Sequence, residues 1–392
     1  MGLTALLARR AVRVVRVLIV AAPDAFTIRV AAERTIRARG WRLASTPADA
    51  DVLLEAGRVG SELGDVAARL WDQLPGPRAR VAAEVVTAVP AVLDEAAALL
   101  RDAPYQAEDA ARRGLAEVGQ DHEGADRGSE EMDNGDMDHG DMDHGDMTHG
   151  DMTHGDTDHG GMDHGGMDMS MSPDGIPLAA GSEDDRDGLE MDALPVRLGP
   201  VLPHWPAGLV LDATLHGDVT MSATARWVDW GGEVGTADEP DPGVLGPARA
   251  CDDLAALLAL AAWQDAATTA WAARDALMDS RSADALEMLG RLRRQVSASR
   301  VLRWSLRRTA LIDADRARVI GLPVACAGDC YDRLLALIDH AHDLAAGAPG
   351  IAAPPLSLDV LEQAVLGLDL GSARLLIASL GTPTGEVVAV HA

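Results

Sequence analysis

A five-residue repeat of Met, His, Asp and Gly occupies residues 132–171 and limits where this chain can build a core. A period of five matches neither the 3.6-residue turn of a helix nor the two-residue alternation of a strand. The recurring glycines disfavour both structures. Because almost nothing there can be buried, we expect residues 103–190 to form a disordered linker between folded segments at 12–102 and 191–392.

The acidity of the chain is concentrated in this linker. Residues 121–192 hold 23 acidic residues and two arginines, which accounts for 21 of the 28 net negative charges of the chain. The remaining residues therefore have an ordinary charge balance. A net charge of −28 argues against a basic nucleic-acid-binding face, so no nucleic-acid partner is expected.

The repeat places thioether and imidazole ligands close together along the chain. This combination favours Cu(I) or Ag(I), and imidazole with carboxylate can hold Cu(II), Ni(II) or Zn(II) weakly. The Met-x-His units also resemble metal-binding segments of copper and silver resistance proteins. The alternative interpretation is an acidic spacer with incidental metal affinity, and no fixed catalytic metal site is implied. The candidate ligands are Met137, His139, Met142, His144, Met147, His149, Met152, His154, His159, Met162, His164 and Met167.

The segment 12–102 alternates strand-like and helix-like patterns. This alternation predicts a small parallel α/β sheet of the flavodoxin-like kind. No glycine-rich loop follows the first strand, so we do not expect a nucleotide there. The predicted strands are Val14–Val20, Asp51–Glu55 and Val81–Val89, and the predicted helices are Ala31–Arg39, Leu63–Leu74 and Pro90–Arg101.

The pattern of segment 191–392 predicts an α+β domain, with an antiparallel hairpin sheet followed by a helical bundle. No apolar run reaches the 18–20 residues of a spanning helix, so no direct membrane span is expected. The three cysteines indicate a reducing compartment. The predicted strands are Leu194–Val201, Gly208–Leu215 and Val219–Val228, and the predicted helices are Asp252–Met278 with a break near Trp263–Ala267, Ser282–Ser299, Tyr331–Ala346 and Leu358–Gly367.

Three ordered motifs of the second segment resemble the 49 kDa subunit family of respiratory complex I, the NADH–quinone oxidoreductase. Gly328 to Arg333 reads Gly-Asp-Cys-Tyr-Asp-Arg, a run of six matching residues. Trp304 to Thr309 is similar to the family's Trp-Asp-Leu-Arg-Lys-Thr. Leu198 to Pro203 lies where the family has Gly-Pro-Gln-His-Pro. The family fold is the expectation for residues 191–392.

The first segment resembles the 20 kDa subunit family of complex I. The similar stretches are Asp49–Val59 and Leu70–Arg78. The chain thus resembles a fusion of two proteins that, in complex I and membrane-bound NiFe hydrogenases, meet at the terminal cluster and the quinone or nickel site. The resemblance implies two kinds of membrane partner, antiporter-like proteins and a counterpart of the membrane protein that adjoins the quinone site. It also implies a cytoplasmic, peripheral location on the inner face of the cell membrane.

The departures from these families concern the redox ligands. Residues 12–102 contain no cysteine, and an iron–sulfur cluster needs thiolates. The second segment lacks both Cys-x-x-Cys pairs that hold nickel and iron. We therefore expect no iron–sulfur cluster and no NiFe centre in the folded segments. The family's quinone-binding Tyr segment has no counterpart, and its His is matched only by the displaced His204.

Three functions follow from these observations. The first is a degenerate fused subunit with a structural or coupling role, without its own redox centre. The second is copper or silver binding, or metal sequestration, by the repeat. The third and weaker one is a quinone-linked oxidoreductase subunit that uses a partner's cofactor. Whether the chain is an enzyme stays open, and independent catalysis is not expected.

Four residues are weak catalytic candidates. Asp329, Asp332 and Arg333 form either a charged group that couples to a membrane protein or a helix start, with Asp329 at the N-terminus and the other two on its solvated side. His204 is either a remnant of the quinone site or an exposed loop histidine.

Several other side chains have two interpretations. Arg307 and Arg308 approach an acidic partner or the first segment, or they form a solvated turn. Cys326 and Cys330 form a redox pair, or they are structural, since two ligands do not close a metal site. The tryptophans expected as core or interface anchors are Trp205, Trp227, Trp230, Trp263, Trp271 and Trp304.

Overall fold

A computed structural model describes residues 14–113, 193–229, 242–348 and 357–381, and the backbone of 183–184 and 190–191. Residues 1–107 and 178–392 form one compact unit, and 108–177 form a second unit. The His/Met repeat and most of the predicted linker lie outside the described residues. Residues 103–113, at the start of the predicted linker, are helical.

The N-terminal segment contains a four-stranded parallel sheet with helices. Its elements are β1 (Arg16–Ala21), α1 (Phe26–Ala38), β2 (Arg42–Leu43), β3 (Val52–Ala56), α2 (Ser61–Gln73), β4 (Ala79–Ala83), α3 (Val89–Leu99) and α4 (103–113). The strand order is β2-β1-β3-β4, which is the order of the first four strands of a doubly wound, flavodoxin-like sheet. The predicted fold class of this segment is confirmed.

Burial on both faces explains the continuous apolar composition of the central strands. Within β3 all side chains except Glu55 are buried, as expected for a parallel strand covered by helices on each side. Helices α1 and α3 pack against each other on one face. The connection from β1 to β2 and the connection from β3 to β4 step in opposite directions along the sheet. Because both crossovers are right-handed, α2 lies on the face opposite to α1.

The C-terminal segment begins with antiparallel strands. A first, separate pair is formed by β5 (Glu183–Asp184) and β6 (Glu190–Met191). Strands β7 (Ala193–Leu198), β8 (Leu209–His216) and β9 (Val219–Trp227) then form one sheet in chain order. The predicted hairpin is confirmed, because Gly217, with φ +62°, turns the chain between β8 and β9.

Helices make up the rest of this segment. They are α5 (Pro242–Leu260), α6 (Gln264–Met278), α7 (Ser282–Ala298), α8 (Arg300–Leu306), α9 (Ala314–Ile320), α10 (Cys330–Ala345), α11 (Leu358–Val365) and α12 (Leu370–Leu380). The predicted break near Trp263 is confirmed, since α5 ends at Leu260 and α6 begins at Gln264. Three of the helices were not expected from the sequence, namely α8, α9 and α12.

Small side chains allow close packing at the centre of the bundle. Five alanines of α6 are buried, and these let α5 approach closely, because an alanine face keeps the two backbones near each other. Leucines of α5, α7, α10 and α12 fill the surrounding space. The buried residues are Leu254, Leu258, Ala266, Ala267, Ala270, Ala273, Ala276, Leu289, Leu292, Leu334 and Leu376.

Polar contacts join the N-terminal and C-terminal segments in the first unit. Glu62, at the start of α2, accepts hydrogen bonds from Arg226 at 2.6 Å and from the backbone N–H of Asp229 at 3.0 Å. The Leu63 N–H in turn donates to the Asp229 carbonyl at 3.3 Å. The Arg226 hydrogen bond is the main reason that the pKa of Glu62 lies below its usual range. The start of α2 is thereby held at the end of β9.

Within the part of the chain that the structure describes, no helix combines the length and the apolar character that crossing a membrane requires.

Leu54→Ala is expected to destabilise the protein by about 2–5 kcal/mol, because it opens a cavity in a fully buried strand. The free energy of unfolding in urea measures the loss. Val85→Ala, at a position that is 50% exposed, is the matched control and should change stability by less than about 0.5 kcal/mol. Equal losses in both variants would contradict the assigned core.

Candidate functional site

A cleft lies at the carboxyl end of β1, where ligands bind in open α/β sheets. Its volume is about 740 Å³, within the range of small-molecule sites. One wall is residues 22–27, which follow β1, and another is residues 200–207, which precede β8. Side chains of α1, α2, α5, α6 and α12 and residues 43–47 contribute to the rest of the lining. The cleft is thus formed jointly by the N-terminal and C-terminal segments.

The loop between β7 and β8 has a shape that only glycine permits at two positions. Gly199, with φ +85°, has no room for a Cβ, which would lie 2.0 Å from the Leu209 carbonyl oxygen. Gly208, with φ +78°, packs against Pro23, whose Cγ would be 2.4 Å from an added Cβ. The Trp205 indole N–H donates to the Leu209 carbonyl at 2.7 Å. These contacts hold the loop against the residues that follow β1.

A largely buried network centred on two arginines and two carboxylates adjoins the cleft, and three of its members, Arg29, Glu33 and Asp252, line the cleft. The Arg274 side chain is fully buried and donates to Glu33 at 2.7 Å and to Asp252 at 2.5 Å. Arg29 donates to the same two carboxylates, to Glu33 at 2.6 Å and to Asp252 at 2.5 Å. Arg274 donates in addition to Asp275 at 3.0 Å, and Asp275 also pairs with the exposed Arg37. Every buried or half-buried charge of the network therefore has an opposite partner, as burial requires.

The network determines the protonation of Asp252. Burial by itself raises the pKa of this carboxyl, but Arg29 and Arg274 outweigh the burial and hold the pKa at about 2. Burial likewise opposes the charge of both guanidinium groups, but the same carboxylates outweigh it and raise their pKa above the ordinary arginine value. Asp252 is thus a permanent anion at neutral pH and is unsuited to act as a proton donor.

His204 lies in this cleft and is half-buried, so the expectation of an exposed loop histidine is wrong. Its ring is 5.9 Å from the Trp271 ring at an interplanar angle of 28°. Burial and the nearby Arg374 lower the pKa of His204. The imidazole is therefore neutral at physiological pH and offers one nitrogen as an acceptor and one as a donor.

Trp227 lines the same cleft and has a buried indole N–H without an acceptor among the described residues. The residue is only 9% exposed. A buried donor without a partner costs about 1–3 kcal/mol. The sequence identifies Trp227 only as an anchor, because nothing in it shows where the indole N–H points.

The Gly-Asp-Cys-Tyr-Asp-Arg motif forms a helix start outside the cleft. Asp329 is the N-cap of α10 and accepts from the backbone N–H groups of Tyr331 and Asp332, both at 3.0 Å. The Asp332 side chain is 44% exposed. The helix-start interpretation is confirmed for Asp329, in agreement with the favourable position of a carboxylate at a helix N-terminus.

Arg333 is buried, so its expected position on the solvated side of the helix is wrong. Its guanidinium donates to the Gly328 carbonyl at 2.7 Å, the Ala310 carbonyl at 2.8 Å and the Ser379 hydroxyl at 2.7 Å. These bonds join the start of α10 to the end of α12. These three hydrogen bonds indicate that the Arg333 guanidinium stabilises the fold.

The other predicted candidates are dispersed. Arg307 is exposed and lies 3.9 Å from Asp329 and 3.7 Å from Asp332. Burial raises the pKa of the Cys326 and Cys330 thiols, and raises the pKa of Cys251 to about 12. Raised pKa values are the opposite of what a reactive or metal-binding thiolate needs. No cluster of three or more metal-ligating side chains occurs in the described ranges.

The twelve candidate ligands of the His/Met repeat all lie outside the described residues, so their metal binding stays a prediction. Trp230 also lies outside them. Trp304 is 82% exposed, so the prediction that it is a core anchor is wrong. The alternative, that it is an interface anchor, stays a prediction.

Comparison with known proteins finds no match of this chain to a protein-family model, to a curated protein or to a solved structure.

Arg274→Met is expected to lower the free energy of unfolding by about 3–5 kcal/mol, because Glu33 and Asp252 each lose a buried partner. Arg34→Met is the matched control, since the Arg34–Asp279 pair is exposed and such pairs contribute less than about 1 kcal/mol.

The same variant should also become more sensitive to acid. With its pKa depressed in the folded state, Asp252 contributes stability above the unfolded value of about 3.9, and this is lost as the pH falls to about 2. Loss of Arg274 raises that folded pKa, so acid unfolding should begin at higher pH. Circular dichroism against pH measures the midpoint. An unchanged midpoint, or equal losses in the two variants, would contradict the network's role.

Proposed function

We propose that this chain is a fused, non-redox component of a complex I-like membrane assembly. In this proposal the protein has a structural or coupling role on the cytoplasmic side of the membrane. Its partners there are antiporter-like proteins and a counterpart of the membrane protein that adjoins the quinone site. The observation that carries the proposal is the union of two segments, each resembling a different protein of complex I, in one compact unit.

The contacts between the two segments support this proposal. Arg29 and Glu33 of the first segment are paired with Asp252 and Arg274 of the second. The Glu33–Arg274 pair is buried, and the Arg29–Asp252 pair is half-buried. Glu62 and Arg226 form a further link at the other end of the interface. Because unmatched buried charges are strongly destabilising, these matched charges indicate that the two segments pack against each other as one unit.

The distribution of thiols supports the non-redox part of the proposal. All three cysteines are in the second segment, and each has its pKa raised by burial. An iron–sulfur cluster needs several thiolates in one place. Arg333 and Asp329, which carry the strongest resemblance, are engaged in helix capping and packing, and such a role fits a retained scaffold.

Purification of the tagged full chain from native membranes in mild detergent tests the proposal. We expect the two kinds of membrane protein to co-purify, and the isolated chain to hold no stoichiometric iron. An Arg274→Ala variant, which should disrupt the junction of the two segments, is expected to lose these partners, whereas Arg34→Ala should retain them. A chain that purifies alone at wild-type stability would contradict the proposal.

The second candidate function is metal sequestration by the His/Met repeat, and it is favoured by the regular Met-x-His spacing. Thioether and imidazole together select soft, monovalent copper or silver. On this account the folded segments are a support for residues 132–171.

Deletion of residues 132–171 is expected to abolish Cu(I) binding, measured by competition with a chromogenic chelator. The matched control is His340→Asn with His342→Asn, which removes two imidazoles outside the repeat and should leave copper binding unchanged. Copper tolerance of cells carrying the deletion reports whether the binding matters physiologically. Full copper binding by the deleted chain would contradict this candidate.

The weaker alternative is a quinone-linked oxidoreductase component that uses a cofactor held by a partner. The cleft supports it, because Trp227 and a neutral His204 line a space of about 740 Å³. Quinone-dependent electron transfer in the purified complex, abolished by Trp227→Phe, would favour this alternative over the coupling role.

A further inference from the structure

The helix α8 and the residues after it form an exposed surface of unusual composition. Of the twelve large apolar side chains exposed in the described residues, five lie between positions 301 and 324. Three of these five lie on α8 or just after it, with exposed fractions of 77% for Val301, 82% for Trp304 and 52% for Leu311. Apolar side chains that project this far gain nothing from their own fold, which is typical of a contact surface.

This surface also lies in a strongly basic part of the chain. Residues 291–318 contain nine arginines and only two aspartates, a net charge of +7 in a protein of net charge −28. Arg300, Arg303, Arg307 and Arg308 flank Trp304 along α8 and just past its end, and all four are exposed. A helix rises about 1.5 Å per residue, so a helix as short as α8 keeps these charges close together.

Contacts within the fold hold the surface in place. Leu302 and Leu306 are buried and fix the opposite face of α8. The guanidinium groups of Arg303 and Arg307 each lie 5.4 Å from the centre of the buried Tyr331 ring. Arg300 and Arg308 form no ion pair with any described residue. The arginines are therefore displayed on a rigid support, and two of them keep their charge available.

We propose that the α8 surface, Arg300–Leu311, docks on a membrane containing anionic phospholipid. Tryptophan is enriched at the membrane–water interface, where its ring lies at headgroup level. Arginines beside it are attracted to anionic headgroups. Val301 and Leu311 supply aliphatic area that an acyl boundary accommodates, whereas a nucleic acid would favour several stacking aromatic rings. The surface is distinct from the cleft and does not depend on the protein partners proposed above.

Sedimentation of the purified full chain with vesicles tests this assignment. The vesicles contain phosphatidylcholine with about 30% phosphatidylglycerol, and pure phosphatidylcholine vesicles serve as the lipid control. We expect binding to the anionic vesicles only, and loss of that binding in high salt, because surface charges are screened within about 3 Å at 1 M.

Two variants identify the surface. Arg300→Gln with Arg308→Gln should weaken vesicle binding by roughly 30-fold, since each basic residue near an anionic surface contributes about fivefold. Trp304→Ala should also weaken it, and the Trp304 fluorescence should shift to the blue when the wild type binds. The matched controls are Arg42→Gln with Arg69→Gln for charge and Met221→Ala for exposed apolar area, and these should bind as the wild type does.

Several results would overturn the assignment. These are no binding to anionic vesicles at low salt, equal binding to pure phosphatidylcholine, or equal loss in the control variants. Tighter binding to a single-stranded oligonucleotide than to vesicles would overturn it in favour of nucleic acid. Because the vesicles contain no protein, this outcome is independent of whether membrane proteins co-purify with the chain. Thermal unfolding of each variant confirms that the fold is kept.

Discussion

The buried network of Arg29, Glu33, Asp252 and Arg274 is the interaction on which the arrangement of this protein depends. A fully buried guanidinium is tolerated only when carboxylates neutralise it at hydrogen-bonding distance. Glu33 lies on α1, whereas Asp252 lies on α5 and Arg274 on α6, so the network requires these three helices to meet. Once α1 is held there, the residues that connect β1 to α1 must face the loop before β8. The cleft is a consequence of that juxtaposition.

The sequence predicts local structure well where a short pattern decides it. The β-branched run around Val17 and the apolar stretch around Leu53 identify buried strands, and the Gly217 turn identifies a hairpin. Helix α12 was missed because Gly371 and Ser372 follow its first residue and weaken the helical pattern. Its decisive signal is Asp369, which accepts from the Ser372 N–H at 2.9 Å as an N-cap.

The candidate site was much less predictable, for a physical reason. Arg274 and Glu33 are 241 positions apart, so the sequence does not show that they pair. In a chain with 34 arginines, both residues look like ordinary charged side chains on the solvated face of a helix. Only the tertiary packing removes them from water. His204 and Trp227 likewise acquire their significance from the walls around them. The motif that was easiest to recognise, Gly328 to Arg333, lies elsewhere, because the bonds that Arg333 makes with three surrounding groups serve the packing of α10 against α12.

Charge is unevenly distributed along the sequence of this chain, with one acidic stretch and one basic stretch. Net charge would suggest that a protein of −28 avoids every anionic surface. At physiological ionic strength, however, charges separated by more than about 8 Å act almost independently. The acidic residues at 121–192 belong to one stretch of sequence, and the arginines of residues 291–318 to another. The exposed Trp304 lies beside the arginines of α8, and it adds to their local charge an apolar attraction that salt does not screen.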